Sequence, residues 1–306
     1  MTKKIAVLGS INIDTTYRVK EFPKPGETIQ ALSKSSTGGG KGNNQAVAAA
    51  RSGAQTFFIG MVGRDEQGRF MLESMAEEQI NTELVKQNPD IGTGTALVTL
   101  NEAGQNDIMV YGGANQAMTE EVLTNSEEIL CQVDFILAQN ETPQTVTLAA
   151  FKLAKKLGVT TIFNPAPAGK LNDELLNYTD IIIPNETECE ALTGIKIDSE
   201  DSMQKAAQFF HQVGVKTLLI TLGSKGVYYS TLATSGLVPA FKVKAIDTTA
   251  AGDTFIGALA SQLDKNLGNI EAALTYAQKA SSLAVQKMGA ASSIPTATEI
   301  KAALAK

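Results

Sequence analysis

A largely parallel β-sheet covered by helices is the fold class this sequence predicts, and three observations predict it. From about residue 115 onward, apolar strand-like runs alternate with helical runs, the pattern that builds a parallel sheet with helices packed on it. The chain opens on a short apolar run, Ile5-Ala6-Val7-Leu8, that reads as a first buried strand. Polar clusters follow successive strands, where ligands of such sheets bind, beyond the carboxyl ends. The 306 residues suffice for one large α/β domain or two smaller ones. With 43% apolar and 19% charged residues there is ample material for a core.

Taken in order, the first strand ends in Gly9-Ser10-Ile11-Asn12-Ile13-Asp14. No second and third glycine follow at dinucleotide-binding spacing, so the Rossmann fingerprint is absent. Asn12 and Asp14 stand at alternate positions and point the same way on an extended segment, as a pair gripping adjacent sugar hydroxyls would; the plainer alternative is an exposed strand end. A proline-stiffened turn at Phe22–Glu27 leads to a mostly polar strand over Thr28–Ser36. Thr37-Gly38-Gly39-Gly40-Lys41-Gly42-Asn43-Asn44-Gln45 then opens a small-residue helix from Ala46 to Arg51. This is not a Walker loop, yet three glycines before a helix imply a backbone that must approach something closely, with Asn44 in reach of it.

Phe57–Gly60 reads as a short buried strand and Val62–Gly68 as a turn into a helix over Arg69–Glu78. Thr95–Asn101 and Asp107–Tyr111 alternate around Glu102-Ala103-Gly104-Gln105, a β-hairpin apolar on both faces. With the strand at Thr28–Ser36 it predicts a small sheet acting as a lid, a dimer surface, or both.

The repeating part follows: strand Asp134–Ala138, helix Gln144–Leu157, strands Thr160–Phe163 and Ile181–Ile183, helix Glu186–Leu192 and strand Thr217–Thr221. The strand ends carry Asn140-Glu141, Asn164-Pro165-Ala166-Pro167, Asn185-Glu186-Thr187-Glu188 and Leu222-Gly223-Ser224-Lys225-Gly226. Asn185-x-x-Glu188 is also a helix-capping arrangement in its own right. A small-residue helix over Ala272–Val285 ends in a loop, Lys287–Pro295, without core character.

The stretch richest in chemistry is Asp247-Thr248-Thr249-Ala250-Ala251-Gly252-Asp253-Thr254-Phe255, a small-residue turn opening into the apolar run Phe255, Ile256, Leu259, Leu263. A helix start leaves N–H groups unpaired and carries partial positive charge, so it receives anions such as phosphate. Asp253 in its first turn would sit beside that anion, an arrangement suited to phosphoryl transfer with Asp253 as base. An ordinary helix cap is the rival reading.

Composition narrows the chemistry. The net charge of −6 argues against nucleic acid or an anionic membrane as partner. No apolar run approaches the ~20 residues of a bilayer span, and the N-terminal run is too short for a signal peptide. Two cysteines, Cys131 and Cys189, stand without metal-ligand spacing, which fits a reducing, cytoplasmic setting. A single histidine, His211, lies in an amphipathic run, so catalytic triads and multi-histidine zinc sites are hard to build. Carboxylates, amides and backbone donors remain.

The chain resembles the ribokinase branch of the PfkB carbohydrate kinases from residue 5 to residue 300. Two signatures carry the likeness, Gly39–Ala46 and Asp247–Phe255, supported in order by Gly9–Asp14, Asn164–Pro167, Pro184–Glu188 and Thr221–Gly226. The resemblance implies a three-layer α/β/α sandwich with a mostly parallel central sheet and a small β-sheet lid that also makes a homodimer. It implies one domain over residues 1–306, with lid segments at about 15–38 and 93–113. The implied reaction is transfer of the ATP γ-phosphoryl group to O5 of D-ribose. Asp253 would be the base, and Ala250, Ala251 and Gly252 the anion hole. Asn12, Asp14, Gly40, Lys41, Asn44 and Glu141 would hold the sugar. Asn185 and Glu188 would place phosphate and Mg²⁺, while Thr221, Gly223, Ser224, Lys225 and Gly226 line the ATP site with Gln278 near the adenine. An activating monovalent cation, usually K⁺, would rest on Asp247, Thr249, Ala284, Lys287, Gly289 and Ser293. Other acceptors (deoxyribose, fructose, adenosine) and a sugar-binding sensor without catalysis are the alternatives.

Overall fold

The computed structural model describes residues 2–305. In chain order, β1 (Lys4–Leu8), β2 (Asn12–Arg18) and β3 (Ser33–Gly39) precede α1 (Lys41–Arg51), β4 (Gln55–Gly63), α2 (Glu66–Glu77) and β5 (Asn81–Asn88). The hairpin β6 (Gly94–Leu100) and β7 (Asn106–Tyr111) follows, then α3 (Glu127–Leu130), β8 (Phe135–Gln139), α4 (Gln144–Lys156) and β9 (Thr160–Asn164). Next come β10 (Ile181–Ile182), α5 (Glu186–Thr193), α6 (Glu200–Gln212), β11 (Thr217–Thr221), β12 (Val227–Thr231) and β13 (Ser235–Val238). The helices α7 (Ala251–Gln262), α8 (Ile270–Ala284) and α9 (Ala297–Leu304) close the chain.

Side-chain alternation along β1 explains the layers. Ile5 and Val7 enter one core with Val47, Met71, Leu259, Leu274 and Ile300, whereas Ala6 and Leu8 enter another with Leu130, Phe151, Cys189 and Phe210. Helices α1, α2, α7, α8 and α9 therefore cover one face of the sheet and α3 to α6 the other, giving the expected α/β/α sandwich. The nine strands run in the order β13-β12-β11-β10-β9-β8-β1-β4-β5. All neighbours from β11 to β5 are parallel, and only β12 and β13 pair antiparallel. From β1 the chain winds outward through β4 and β5, then returns to the other side of β1 at β8. The strand order thus reverses between β1 and β8, and their carboxyl ends open the crevice that such a reversal creates.

The second sheet has the order β3-β2-β6-β7. Strand β2 continues from β1 after only three residues, so this sheet stands beside the crevice. Ile108, Met109, Val110 and Tyr111 of β7 are all more than half exposed.

Several boundaries differ from the sequence expectation. The polar strand begins at Ser33 rather than Thr28 and runs through Gly39, and α1 begins at Lys41 rather than Ala46. The glycines are the reason: Gly38 and Gly39 still pair with β2, and Gly40 turns the chain at φ 89° directly into the helix. Helix α2 begins at Glu66, not Arg69, because Asp65 caps it through a bond from Gly68 N–H. Strands β5, β12 and β13 and helix α9 had no sequence expectation. β5 is a polar edge strand whose only buried side chain is Leu84, so its pattern resembles a loop.

Helices α1 and α7 pack unusually closely. A Cβ on Gly257 would lie 2.3 Å from the Gln45 carbonyl oxygen and 2.8 Å from Ala49 N. Backbone meets backbone there, which brings the first turn of α7 against the first turn of α1. Gly257→Val should cost ~1–3 kcal/mol, the usual range for overpacking. Denaturant unfolding should give a lower midpoint at unchanged slope.

Candidate active site

The small residues before α7 set an unusual helix start. Ala250 occupies the left-handed region at φ 58° and offers no side-chain cap. Thr254 N–H donates to the Ala250 carbonyl at 2.8 Å, and Ser281 Oγ donates to the Ala251 carbonyl at 3.0 Å, which holds the turn in that conformation. Among the three residues expected to form an anion hole, Ala251 differs from the other two: its N–H donates to the Thr248 carbonyl at 3.2 Å. The N–H groups of Ala250 and Gly252 have no protein partner. A Cβ on Gly252 would meet nothing within 4 Å, so this helix end faces open space. That space is a cleft of about 200 Å³, lined by Ala250, Ala251, Gly252 and Asp253 together with Lys41, Asn164, Asn185, Glu188 and Thr221. An uncapped helix start and a lysine in one small cleft are groups suited to receiving an anion.

Asp253 is buried at the α1–α7 contact. Asn44 Nδ2 donates to its Oδ2 at 3.2 Å and Gln45 Nε2 to its Oδ1 at 3.0 Å. Burial raises its pKa; Lys41 and the two amides pull the other way without cancelling that effect, and Glu141 adds to it. A carboxylate held ionisable but proton-avid is what a general base requires. Burial alone would lower the Lys41 pKa, yet the carboxylates of Asp253, Glu141 and Glu188 together raise it. The cation is therefore secure at neutral pH.

A second acid group flanks the first. Asp14 on β2 leans over Gly39, where any Cβ would fall within 2.1–2.4 Å of its carboxyl group. Burial, then the charges of Glu141 and Asp253, push the Asp14 pKa up to about 6. Glu141 Oε2 accepts from Ser10 Oγ at 2.5 Å and from Lys41 N–H at 3.0 Å, bridging the ends of β1 and β8 across the crevice. Gly40 is forced by space as well as by φ, since a Cβ there would lie 2.8 Å from the Ser10 carbonyl. Asn12 Oδ1 accepts from Asn115 Nδ2 at 2.8 Å, and Asn115 is locked by two further bonds to the Ile11 backbone. The sequence expectation missed Ser10, Gln45 and Asn115 as site residues. Gln45 alone left a signal, as the amide beside Asn44 in the glycine-rich stretch.

Asn185 and Glu188 form the expected capping box of α5, with Asn185 Nδ2 also donating to Glu188 Oε1 at 3.0 Å. Both also line the cleft, so the cap and the site are one feature. Burial raises the Glu188 pKa. Thr221 bridges to Asn185 at the ends of β11 and β10. Beyond it, Gly223, Ser224 and Lys225 form one 3₁₀ turn, and Gly226 at φ 117° packs under the Val238 carbonyl, so Gly226 serves the turn into β12. Gln278 is buried on α8 and does not line the cleft.

Of the six residues expected to hold a monovalent cation, Asp247, Thr249 and Gly289 are joined to one another. Asp247 Oδ1 accepts from Thr249 N–H and Oγ1, and Asp247 Oδ2 accepts from Gly289 N–H at 2.9 Å. Burial opposes ionisation of Asp247, but these bonds outweigh it and lower its pKa. Ala284 accepts from Lys287 N–H, and Ser293 donates to the Ala290 carbonyl. The Lys287 ammonium turns away to Glu299 at 3.0 Å. Oxygen is the donor type these residues offer, from the Asp247 carboxylate, hydroxyls and main-chain carbonyls, and oxygen suits a hard cation.

Comparison with known proteins gives the family and the fold. The description of pfkB family carbohydrate kinases matches residues 2–297. Over 301 residues the chain is 48% identical to a ribokinase of Staphylococcus aureus (strain COL), covering 98% of this chain and 99% of that protein. A ribokinase of Haemophilus influenzae is 44% identical over 299 residues, covering 98% and 97%. The structure of an Arabidopsis thaliana ribokinase complexed with ribose and ATP superposes with a TM-score of 0.94 at 33% identity, covering 99% of each chain.

Proposed function

Because the chain belongs to the pfkB family of carbohydrate kinases, we propose that it transfers the γ-phosphoryl group of ATP to O5 of D-ribose. One observation carries the mechanism: the Asp253 carboxylate lies at the contact of α1 and α7, in the same cleft as the open helix start and Lys41. The sugar sits on Asn12, Asp14, Gly40, Lys41, Asn44 and Glu141, whose acceptors and amides bridge vicinal hydroxyls. Asp253 takes the proton of the attacking hydroxyl, while the N-terminus of α7 and Lys41 stabilise the charge on the transferred group. Thr221, Gly223, Ser224, Lys225 and Gly226 line the nucleotide, with Gln278 toward the adenine.

Mg²⁺ bound through Asn185 and Glu188 would neutralise phosphate charge. One carboxylate acting through water suffices for a cation that dehydrates reluctantly. K⁺ would rest on the Asp247–Thr249 and Ala284–Ser293 loops, stiffening the turn that leads into α7. The second sheet, within segments 15–38 and 93–113 of one 1–306 domain, acts as lid and as homodimer surface through its exposed β7 face. No helix among the described residues is long and apolar enough to cross a membrane. We place the protein in the cytoplasm.

The test is ADP release from ATP and Mg²⁺, comparing D-ribose with 2-deoxyribose, fructose and adenosine, in K⁺ and in Na⁺. Strong preference for ribose with K⁺ stimulation is expected; preference for another acceptor would reassign the substrate. Sugar binding alone should also depend on pH. Asp14 loses its charge as pH falls through about 6, so calorimetric affinity for ribose should weaken there. Asp14→Asn should bind more weakly and flatten that dependence.

A further inference from the structure

The Gln45 amide behind Asp253 is held in one direction, although the buried Oε1 of its neighbour Gln139 has no partner. Asn164 Nδ2 donates to the Ile183 carbonyl at 2.9 Å, so Asn164 Oδ1 must face Gln45. Gln45 Nε2 donates to that Oδ1 at 3.3 Å and to Asp253 Oδ1 at 3.0 Å, so both its amide hydrogens are engaged. Gln45 Oε1 in turn accepts from Gln139 Nε2 at 2.8 Å. A half-turn of the Gln45 amide would set its oxygen against two other oxygens and its nitrogen against a nitrogen. Gln45, Gln139 and Asn164 are all buried.

Asn44 is bound quite differently. Its Nδ2 reaches Asp253 Oδ2 at a longer 3.2 Å, and its buried Oδ1 has no partner. Nothing else fixes that amide, and a half-turn would offer Oδ1 to Asp253.

We propose that Gln45, locked by Gln139 and Asn164, is a positioning residue that divides the Asp253 oxygens: Oδ1 is held as a permanent acceptor, and Oδ2 is the oxygen that takes the substrate proton. This rests on the phosphotransfer reading above. As the hydroxyl oxygen bonds to the γ-phosphorus, the bond from that phosphorus to the β–γ bridging oxygen breaks and its electron pair leaves with ADP. The hydroxyl proton crosses to Oδ2, and the Asn44 amide turns to accept from the new O–H. The proton cannot settle on Oδ1, because Gln45 presents only N–H there.

The experiment uses the full-length enzyme with Gln45→Met, Gln139→Met and the near-isosteric Gln139→Glu, each checked for folding by circular dichroism and thermal melting. Gln45→Met and Gln139→Met should lower kcat about 10- to 10²-fold, the loss typical of a misplaced reacting group, with KM for ribose within about twofold. In Gln45→Met the acid limb of kcat/KM should move to higher pH, because an N–H donor to the charged base is lost, and Gln139→Met should shift it the same way only as far as the freed Gln45 amide turns from Asp253; Lys41, Glu141, Asp14 and Glu188 still surround it. Gln139→Glu separates relay from packing. Neutral, the new carboxyl donates to Gln45 Oε1 and keeps the order; ionised, it repels that oxygen. It should therefore add a falling limb of kcat toward high pH that the parent enzyme lacks. Unchanged kcat and pH profiles in folded Gln139→Met and Gln139→Glu would overturn the proposal. Near-normal turnover in Asp253→Asn, measured in parallel, would instead overturn the base assignment on which it rests.

Discussion

Asp253→Asn should lower turnover by roughly 10²–10⁴-fold while leaving ribose binding largely intact, the signature of a lost general base. Its effect on stability should run the other way. The folded pKa of Asp253 is raised, so the fold favours the neutral form, and the stability gained from protonation is lost as pH rises through the folded pKa. At pH 7 the charge is a cost to the fold that asparagine removes. Asparagine also suits the surrounding amides, since its Oδ1 can accept from Gln45 and its Nδ2 can donate to the unpartnered Asn44 Oδ1. The melting temperature should therefore stay level or rise. Kinetics and melting curves on the same preparation check both halves, and near-normal turnover would remove Asp253 from the reaction.

Gly252→Val should be nearly as damaging for a different reason. A Cβ there meets nothing within 4 Å, so valine folds without a clash. Its methyl groups would fill the space before the α7 start, where the phosphoryl group must approach the Gly252 N–H. Loss of one such donor costs about 10²–10³-fold in kcat. Ribose affinity should be unchanged, and the melting temperature unchanged within the small helix-propensity difference between glycine and valine. A parent-like kcat in a folded variant would mean that the transferred group does not approach this helix end.

Much of the fold was legible because its central strands are buried on both faces and so appear as uninterrupted apolar runs, as in Ile5–Leu8 and Leu218–Ile220. The edges were not. β5 buries only Leu84 among mostly polar residues and reads as a loop, while β12 depends on a turn set by Gly226. In the site, Asn12 and Asp14 could be paired from the period of two alone. Asn115 and Gln139 could not, because they meet the site only through the fold, 103 residues from Asn12 and 94 from Gln45. Asn185 and Glu188 were ambiguous in sequence because one pair of side chains caps α5 and also lines the cleft. The proposed cation loop left little side-chain trace, since part of its oxygen set is main-chain carbonyls.

The most direct test of the central claim is the identity of the product. Purified protein incubated with ATP, Mg²⁺, K⁺ and D-ribose should yield ADP and a single sugar phosphate. Phosphorus–proton coupling in its NMR spectrum should place the phosphate on O5. A phosphate on another oxygen, or ADP release indifferent to ribose, would contradict the account.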